Sequence, residues 1–271
     1  MATPEPAPDQ QLSEFWRRLV TGQHRSFTVM SRGFRRIPGS PRCKVCFAPL
    51  GGAMSPMLRV AGFGPSKMNP RFCNSCEVAA ARHPGGCEVE MSLLFADVRG
   101  STSLAEHMPP SAFRTLINRF YAAANSVLID SDAMIDKMVG DEVVALYLPM
   151  LPDGPRRAVD AAVALLAATG HADPEGPWIP VGVGVHNGTA FVGTVGSGDT
   201  VTDFTAMGDA VNVTARLASV AAAGEALISD AALHAAGLQV EDSEHRELML
   251  KGRTESLSVR VLTVPQTQAA G

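Results

Sequence analysis

The sequence predicts an α/β fold: an α+β sandwich with a ferredoxin-like βαββαβ core and additions, behind a small loop-rich N-terminal module. Three observations carry this. From residue 89 onward, short apolar runs alternate with segments of helical period. Before that point, seven prolines from Pro38 to Pro84 break every long element. Within the broken stretch, four cysteines stand in two C-x2-C pairs, Cys43/Cys46 and Cys73/Cys76. With 271 residues, the chain divides into a tail and short helix over 1–30, a four-cysteine module over 31–88, a main domain over 89–265 and a tail over 266–271.

The elements follow in order. Residues 1–10 are rich in proline and polar residues and are expected to be disordered. Residues 11–21 form a short amphipathic helix with Leu12, Phe15, Trp16 and Leu19 on one face. Met91 to Val98 is a near-continuous apolar run, the signature of a strand buried on both faces. Ser103 and Glu106 are spaced as a capping box. Phe113, Leu116, Ile117, Phe120, Ala124, Val127 and Leu128 then recur at helical spacing. Residues 133–139 and 142–148 form a hairpin about Gly140-Asp141, and 156–169 an alanine-rich helix. Residues 179–186 and 189–195 read as a second hairpin about Asn187-Gly188, a strong short-range turn signal. A strand at 201–206, a helix at 208–220, a short strand at 227–229, a helix at 230–236 and strands at 246–251 and 257–264 complete the chain.

Charge supports two modules. Residues 1–88 hold 12 Lys/Arg and 5 Asp/Glu, a balance of +7, whereas residues 89–271 hold 11 and 22, a balance of −11. No apolar run approaches the roughly 18 residues of a bilayer span. The N-terminus lacks a charged segment followed by an apolar one, so no signal peptide is expected. A cytosolic location follows as the expectation, with the cysteines reduced or metal-bound.

Two acidic motifs lie 44 positions apart: Phe95-Ala96-Asp97-Val98-Arg99-Gly100-Ser101-Thr102 and Asp136-Lys137-Met138-Val139-Gly140-Asp141-Glu142. Asp97 closes an apolar run and Asp141 follows a glycine between two others, so the fold can bring both carboxylates to one place. Hard divalent cations favour such oxygens, and two of them about 3.5–4 Å apart serve phosphoryl chemistry. Asp97 and Asp141 are therefore the expected Mg²⁺ or Mn²⁺ ligands, with the Val98 carbonyl as a third contact. The Gly100-Ser101-Thr102 turn enters a helix, where backbone N–H groups can hold phosphate. A third motif, Thr205-Ala206-Met207-Gly208-Asp209-Ala210-Val211-Asn212-Val213-Thr214-Ala215-Arg216, places Asn212 and Arg216 four positions apart on one helix face.

In order and spacing, the three motifs resemble the class III nucleotidyl cyclase catalytic domain over about residues 90–264. The resemblance implies conversion of a nucleoside triphosphate to a 3′,5′-cyclic monophosphate and pyrophosphate by a head-to-tail homodimer with composite sites. It implies metal binding by Asp97 and Asp141, purine reading by Lys137 and Thr205, ribose positioning by Asn212, stabilisation of developing phosphate charge by Arg216, and contact of Lys251 with the terminal phosphates. One subunit would supply the aspartates and the other Lys137, Thr205, Asn212, Arg216 and Lys251. The Val139-Gly140-Asp141-Glu142 turn also resembles that of diguanylate cyclases, but the paired glycine and following aromatic of their signature are absent.

Hydrogen-bond complementarity favours ATP, and hence an adenylate cyclase. Lysine only donates and suits adenine N1, while the Thr205 hydroxyl can accept from the 6-amino group; guanine reverses both atoms. The alternatives are a guanylate or pyrimidine cyclase, or a nucleotide-binding regulator without turnover.

The four cysteines fit a structural Zn²⁺ that would let a module poor in core residues fold. An iron–sulfur cluster is the rival, and Cys87 or His83 could substitute as a ligand. Arg17, Arg18, Arg35, Arg36, Arg42 and Lys44 make this half basic. With few interleaved aromatics, a solvated basic surface is expected there rather than a nucleic-acid site, and the module is expected to regulate the cyclase through metal, redox state or an unknown regulator.

Overall fold

The computed structural model describes residues 8–66, 72–197, 200–250 and 254–264. These fall into two compact units. One comprises Met1–Val89, Leu148–Pro152 and Ala190–Met207; the other comprises Glu90–Tyr147, Asp153–Thr189 and Gly208–Gly271.

The second unit is the α/β domain. Its strands are β1 (Gly86–Val98, from Glu90 on), β2 (Met134–Val139), β3 (Glu142–Tyr147), β4 (Val181–Ser197, up to Thr189), β6 (Ala226–Ser229), β7 (Glu244–Leu248) and β8 (Leu257–Leu262). The sheet runs in the order β2-β3-β1-β4-β6-β8-β7. Strand β1 pairs antiparallel with β3, and β4 pairs parallel with β6. Its helices are α5 (Ser101–His107), α6 (Pro110–Asp130), α7 (Gly154–Ala168), α8 (Asp209–Val220) and α9 (Asp230–Ala236). The apolar run over 91–98 forms a strand whose residues Met91 to Ala96 are all buried, as expected where both faces are covered.

Helix α8 lies against β4 because β4 carries glycines on one face. A Cβ on Gly184 would stand 2.4 Å from the Ala218 backbone nitrogen, and one on Gly182 would stand 2.8 Å from the Ala221 carbonyl. Glycine is the residue that lets a backbone approach this closely. Val213 and Leu217 of α8 join Leu227, Leu250, Val259 and Val261 in one core cluster. Burial of each such side chain contributes about 1.5–3 kcal/mol, and this fixes which face of α8 turns outward.

Several expectations are corrected here. There is no hairpin at Asn187-Gly188, because β4 runs straight through both residues. The Asn187 side chain is buried, accepts from Ser92 Oγ (2.7 Å) and donates to Glu90 Oε1 (2.6 Å). Its amide therefore braces β1 rather than a turn, and a Cβ on Gly188 would already press Ala210 at 3.1 Å. The Ser103/Glu106 capping box does not form, because the helix begins earlier, at Ser101, with Gly100 as its N-cap at φ 66°. The helical segment beyond it is two helices, interrupted at Met108-Pro109; a proline has no N–H to continue the ladder.

The first unit contains α1 (Pro8–Val20), α2 (Arg25–Arg36), α3 (Ser55–Leu58), a π-type turn at Arg59–Phe63, α4 (Asn74–Arg82), the first residues of β1, the part of β4 from Ala190 on, and β5 (Thr200–Met207). β5 pairs antiparallel with β4, Thr205 standing opposite Gly193. The expected loop-rich stretch holds more helix than the prolines suggested: α2 reaches Arg36, and α3, with Pro56 near its N-terminus, uses a position where proline is tolerated. Helix α1 begins at Pro8, so the proline-rich start is helical from there on. Trp16 donates from Nε1 to the His83 carbonyl (2.9 Å), and Phe15 stacks on the His83 ring at 4.3 Å. No helix among the described residues is long and apolar enough to cross a membrane.

Candidate active site and metal centre

Asp97 and Asp141 are brought together by strand register. Asp97 is the cross-strand partner of Glu142, one residue beyond Asp141, and Val98 N donates to the Asp141 carbonyl at 3.1 Å. The β2–β3 turn depends on Gly140 at φ 61°, a conformation most side chains avoid. Tyr121 Oη from α6 clasps it by donating to the Gly140 carbonyl at 2.8 Å. Ser101 Oγ donates to the Asp141 carboxylate, so the hydroxyl of the expected phosphate turn holds that carboxylate in place.

The sequence reading missed Arg99. Its guanidinium pairs with the Asp97 carboxylate and donates to the Ser219 carbonyl of α8 at 2.6 Å, while its backbone N–H donates to Pro180 O at 2.8 Å. Arg99 thus ties the strand end carrying Asp97 to the end of α8. It also missed Glu142. Burial first, then the charges of Asp97 and Asp141, raise the proton affinity of the Glu142 carboxyl. Burial likewise raises that of Asp97, opposed by Arg99 and reinforced by Asp141. Carboxylates that raise one another's proton affinity favour a shared cation, and oxygen donors of this type suit Mg²⁺ or Mn²⁺. The residues present therefore fit divalent ions.

Asn212 and Arg216 lie on α8, Asn212 exposed and Arg216 half-buried. The helix positions them as the spacing predicted. Lys137 lies on β2 with its side chain 40% exposed, and its ammonium is 3.2 Å from Asp136 Oδ2, a carboxylate 2% exposed. Asp136 sits where the β2–β3 register shifts. That bulge explains how adjacent residues divide between interior and surface; a charged pair inside a strand was the only sequence signal for it. Thr205 is buried and belongs to the other unit, with β5. Lys251 lies outside the described residues.

The four cysteines of the first unit converge. The sulfurs of Cys43, Cys46, Cys73 and Cys76 all lie within 4.8 Å of one another, all four residues are buried, and none forms a disulfide. Cys46 Sγ and Cys73 Sγ are 3.6 Å apart. A tetrahedral Zn–S length of about 2.3 Å places sulfurs about 3.8 Å apart, so the thiols fit zinc. Burial pushes the Cys43 thiol up, but hydrogen bonds from Cys46, Cys73 and Cys76 outweigh it and hold Cys43 well below the usual thiol range. Hydrogen bonding to Cys43 pushes Cys46 and Cys76 up. A readily formed thiolate at Cys43 suits a ligand set that must lose protons to a metal.

Neither Cys87 nor His83 belongs to this cluster. Burial pushes the Cys87 thiol to about 11, and His83 stacks on Phe15. The expected basic surface is also corrected in part. Arg42 donates to the carbonyls of Phe34 (2.9 Å), Ile37 (2.9 Å) and Phe47 (3.1 Å), and Arg35 lies over the Phe47 ring at 3.6 Å. Lys44 is buried. These cations hold the module together.

The carboxylates gathered at the β1–β3 strand end are oxygen donors of the kind that divalent cations and phosphate chemistry use. Residues 88–262 match the family described as the adenylate and guanylate cyclase catalytic domain, and the chain belongs to that family. An adenylate cyclase of Anabaena cylindrica is 33% identical over 162 residues, covering 56% of this chain and 30% of that protein. The chain thus spans about a third of the length of the curated relatives it matches. An adenylyl cyclase from P. aeruginosa, CyaB, is 25% identical with a TM-score of 0.55, covering 68% of this chain and 98% of that one. The guanylyl cyclase Cya2 is 24% identical with a TM-score of 0.61, covering 69% and 98%, and that likeness speaks to the fold.

Proposed function

We propose that this chain is an adenylate cyclase, forming 3′,5′-cyclic AMP and pyrophosphate from ATP at composite sites of a homodimer. The observation that carries the reading is the convergence of Asp97, Asp141 and Glu142 at one end of the β1–β3 pair, in a chain that presents Asn212 and Arg216 from α8. Asp97, Asp141 and the Val98 carbonyl would hold two Mg²⁺ or Mn²⁺ ions, whose chemistry there is charge neutralisation and in-line alignment.

The ribose 3′-oxygen attacks the α-phosphorus, the new O–P bond forms, and the bond to pyrophosphate breaks. The hydroxyl proton passes to water or to a substrate phosphate. Asn212 holds the ribose. Arg216 donates its planar fork to the phosphate oxygens as charge builds. Lys137 donates to adenine N1, Thr205 accepts from the 6-amino group, and Lys251 contacts the terminal phosphates. Ser101 and Tyr121 keep Asp141 and its turn in place. The four cysteines hold a structural zinc, and the N-terminal module regulates turnover.

Complementation between inactive chains tests the reading. Asp97→Asn should abolish turnover alone, and Arg216→Ala should lower it about 10²–10³-fold. In a composite dimer the two lesions share one site of a mixed pair and leave the other intact. An equimolar mixture should then recover about a quarter of wild-type activity, the statistical share of intact sites in a two-fold dimer. No recovery would reject composite sites, and an active Asp97→Asn would reject the metal assignment.

A further inference from the structure

Lys44 lies between Cys43 and Cys46, inside the first C-x2-C knuckle, and its side chain is only 3% exposed. The knuckle backbone is fixed at both ends: Cys43 N donates to Ala48 O (2.9 Å) and Phe47 N to Cys43 O (3.0 Å). From this base the Lys44 ammonium reaches β5. It donates to Asp203 Oδ1 at 3.0 Å and to the Phe204 carbonyl at 3.3 Å. Asp203 Oδ1 also accepts from Phe204 N at 2.8 Å. The second cysteine pair is tied to the same place: α4, with Cys73 as its N-cap and Cys76 in its first turn, packs against β5. All of these residues belong to one compact unit.

A lysine is an expensive choice for this position. The residue between two zinc-type cysteines has no need of charge, and a buried ammonium is tolerated only when it is paired and hydrogen-bonded. Its partners are the carboxylate of Asp203 and the backbone of Phe204, and the next residue is Thr205. Side chains alternate along a strand, so Asp203 and Thr205 share one face of β5, about 6.8 Å apart. Fixing Asp203 fixes the presentation of Thr205.

We propose that Lys44 is a positioning residue that latches the four-cysteine centre to β5, so that metal occupancy at Cys43, Cys46, Cys73 and Cys76 sets how Thr205 meets the nucleotide base. The selectivity part rests on the adenylate cyclase reading; the latch itself does not. With metal bound, the knuckle is closed and Lys44 is anchored at both ends. Without it, the knuckle loses its centre, the ammonium loses its fixed base, and β5 loosens beside Thr205. The cysteine centre thereby tunes substrate choice through one side chain.

The test uses the full chain loaded with zinc, with Lys44→Met (apolar, similar length), Lys44→Arg (charge retained) and Asp203→Asn. Three quantities are measured: zinc per chain, amide exchange in peptides spanning 203–207, and kcat/KM for ATP against GTP. The latch predicts that Lys44→Met keeps its zinc while β5 exchanges about tenfold faster or more, and that the ATP preference falls about fivefold or more. Lys44→Arg should restore both in part. Asp203→Asn should reproduce the Lys44→Met effects, and keeps the test open if Lys44→Met fails to fold. Zinc removal from the wild type should speed β5 exchange in the same peptides. Unchanged exchange in zinc-loaded Lys44→Met and Asp203→Asn, or in the zinc-stripped wild type, would overturn the latch. Faster exchange with unchanged nucleotide preference would overturn the link to Thr205. A wild type with no cyclic product would sink the cyclase reading, while exchange and zinc content would still decide the latch.

Discussion

Gly184→Ala should misplace α8 and cost both stability and turnover. The added Cβ would lie 2.4 Å from the Ala218 nitrogen, 2.7 Å from the Thr214 carbonyl oxygen and 2.8 Å from the Leu217 Cβ. Two of these three atoms are backbone, so no rotamer change relieves the clash. Ordinary contact begins near 3.4 Å, which requires a shift of about 1 Å between β4 and α8. Overpacking of this kind costs about 1–3 kcal/mol. For a domain of this size that lowers Tm by about 2–12 °C, at about 2–4 °C per kcal/mol. The same shift moves Asn212 and Arg216, and a displacement of about 1 Å at a catalytic group costs up to about a hundredfold in rate. Calorimetry and steady-state turnover on the purified variant measure the two effects. Wild-type Tm with wild-type kcat would refute the claim that β4 glycines set the position of α8.

The glycine in α2 makes the opposite case: a Cβ on Gly33 meets nothing within 4 Å, so Gly33→Ala should raise stability by about 0.5–1 kcal/mol in denaturant titration. The carboxylate cluster makes a pH prediction. Asp97 and Glu142 bind protons more tightly folded than unfolded. Their contribution to stability is therefore full below the unfolded carboxylate pKa and is lost as pH rises through the raised folded values. Mn²⁺ should accordingly raise Tm at about pH 7.5 and lose that effect by about pH 4.5, and Asp97→Asn should blunt the rise at neutral pH in scanning fluorimetry. At the cysteine centre, metal analysis should find one zinc per chain and no visible absorbance, whereas a brown chromophore with iron and sulfide would replace zinc by a cluster. Cys73→Ser should lose the zinc, because each ligand of a closed tetrahedral site is required.

Much of the candidate site's local geometry was legible because it rests on local rules. Asp97 ends an apolar run, Gly140 demands a left-handed turn before Asp141, and Asn212 and Arg216 are one helical turn apart. Each of these statements needs only a few neighbouring residues. The two C-x2-C pairs were legible for the same reason, and their four sulfurs do converge. What sequence reasoning missed depends on contacts distant in the chain. Asn187-Gly188 has the local chemistry of a turn, yet Ser92 and Glu90 on β1 draw its side chain into the sheet. Arg99 looks like a surface arginine until α8 supplies the Ser219 carbonyl, 120 residues away in sequence. Lys44 and Arg42 read as a basic surface because their partners come from folding: Asp203 for one, a ring of backbone carbonyls for the other. Helix α2 was missed although Phe27, Met30 and Phe34 stand at helical spacing; its buried residues also include the polar Thr28 and Ser31, so its inward face does not read as apolar in sequence.

The central claim is the reaction. Incubation of the purified chain with Mn²⁺ and, separately, ATP, GTP, CTP and UTP, with products identified by mass, tests it most directly. The account predicts cyclic AMP and pyrophosphate from ATP, far in excess of any other cyclic nucleotide. A different cyclic product would contradict base reading by Lys137 and Thr205, and the absence of any cyclic product would contradict the cyclase assignment itself.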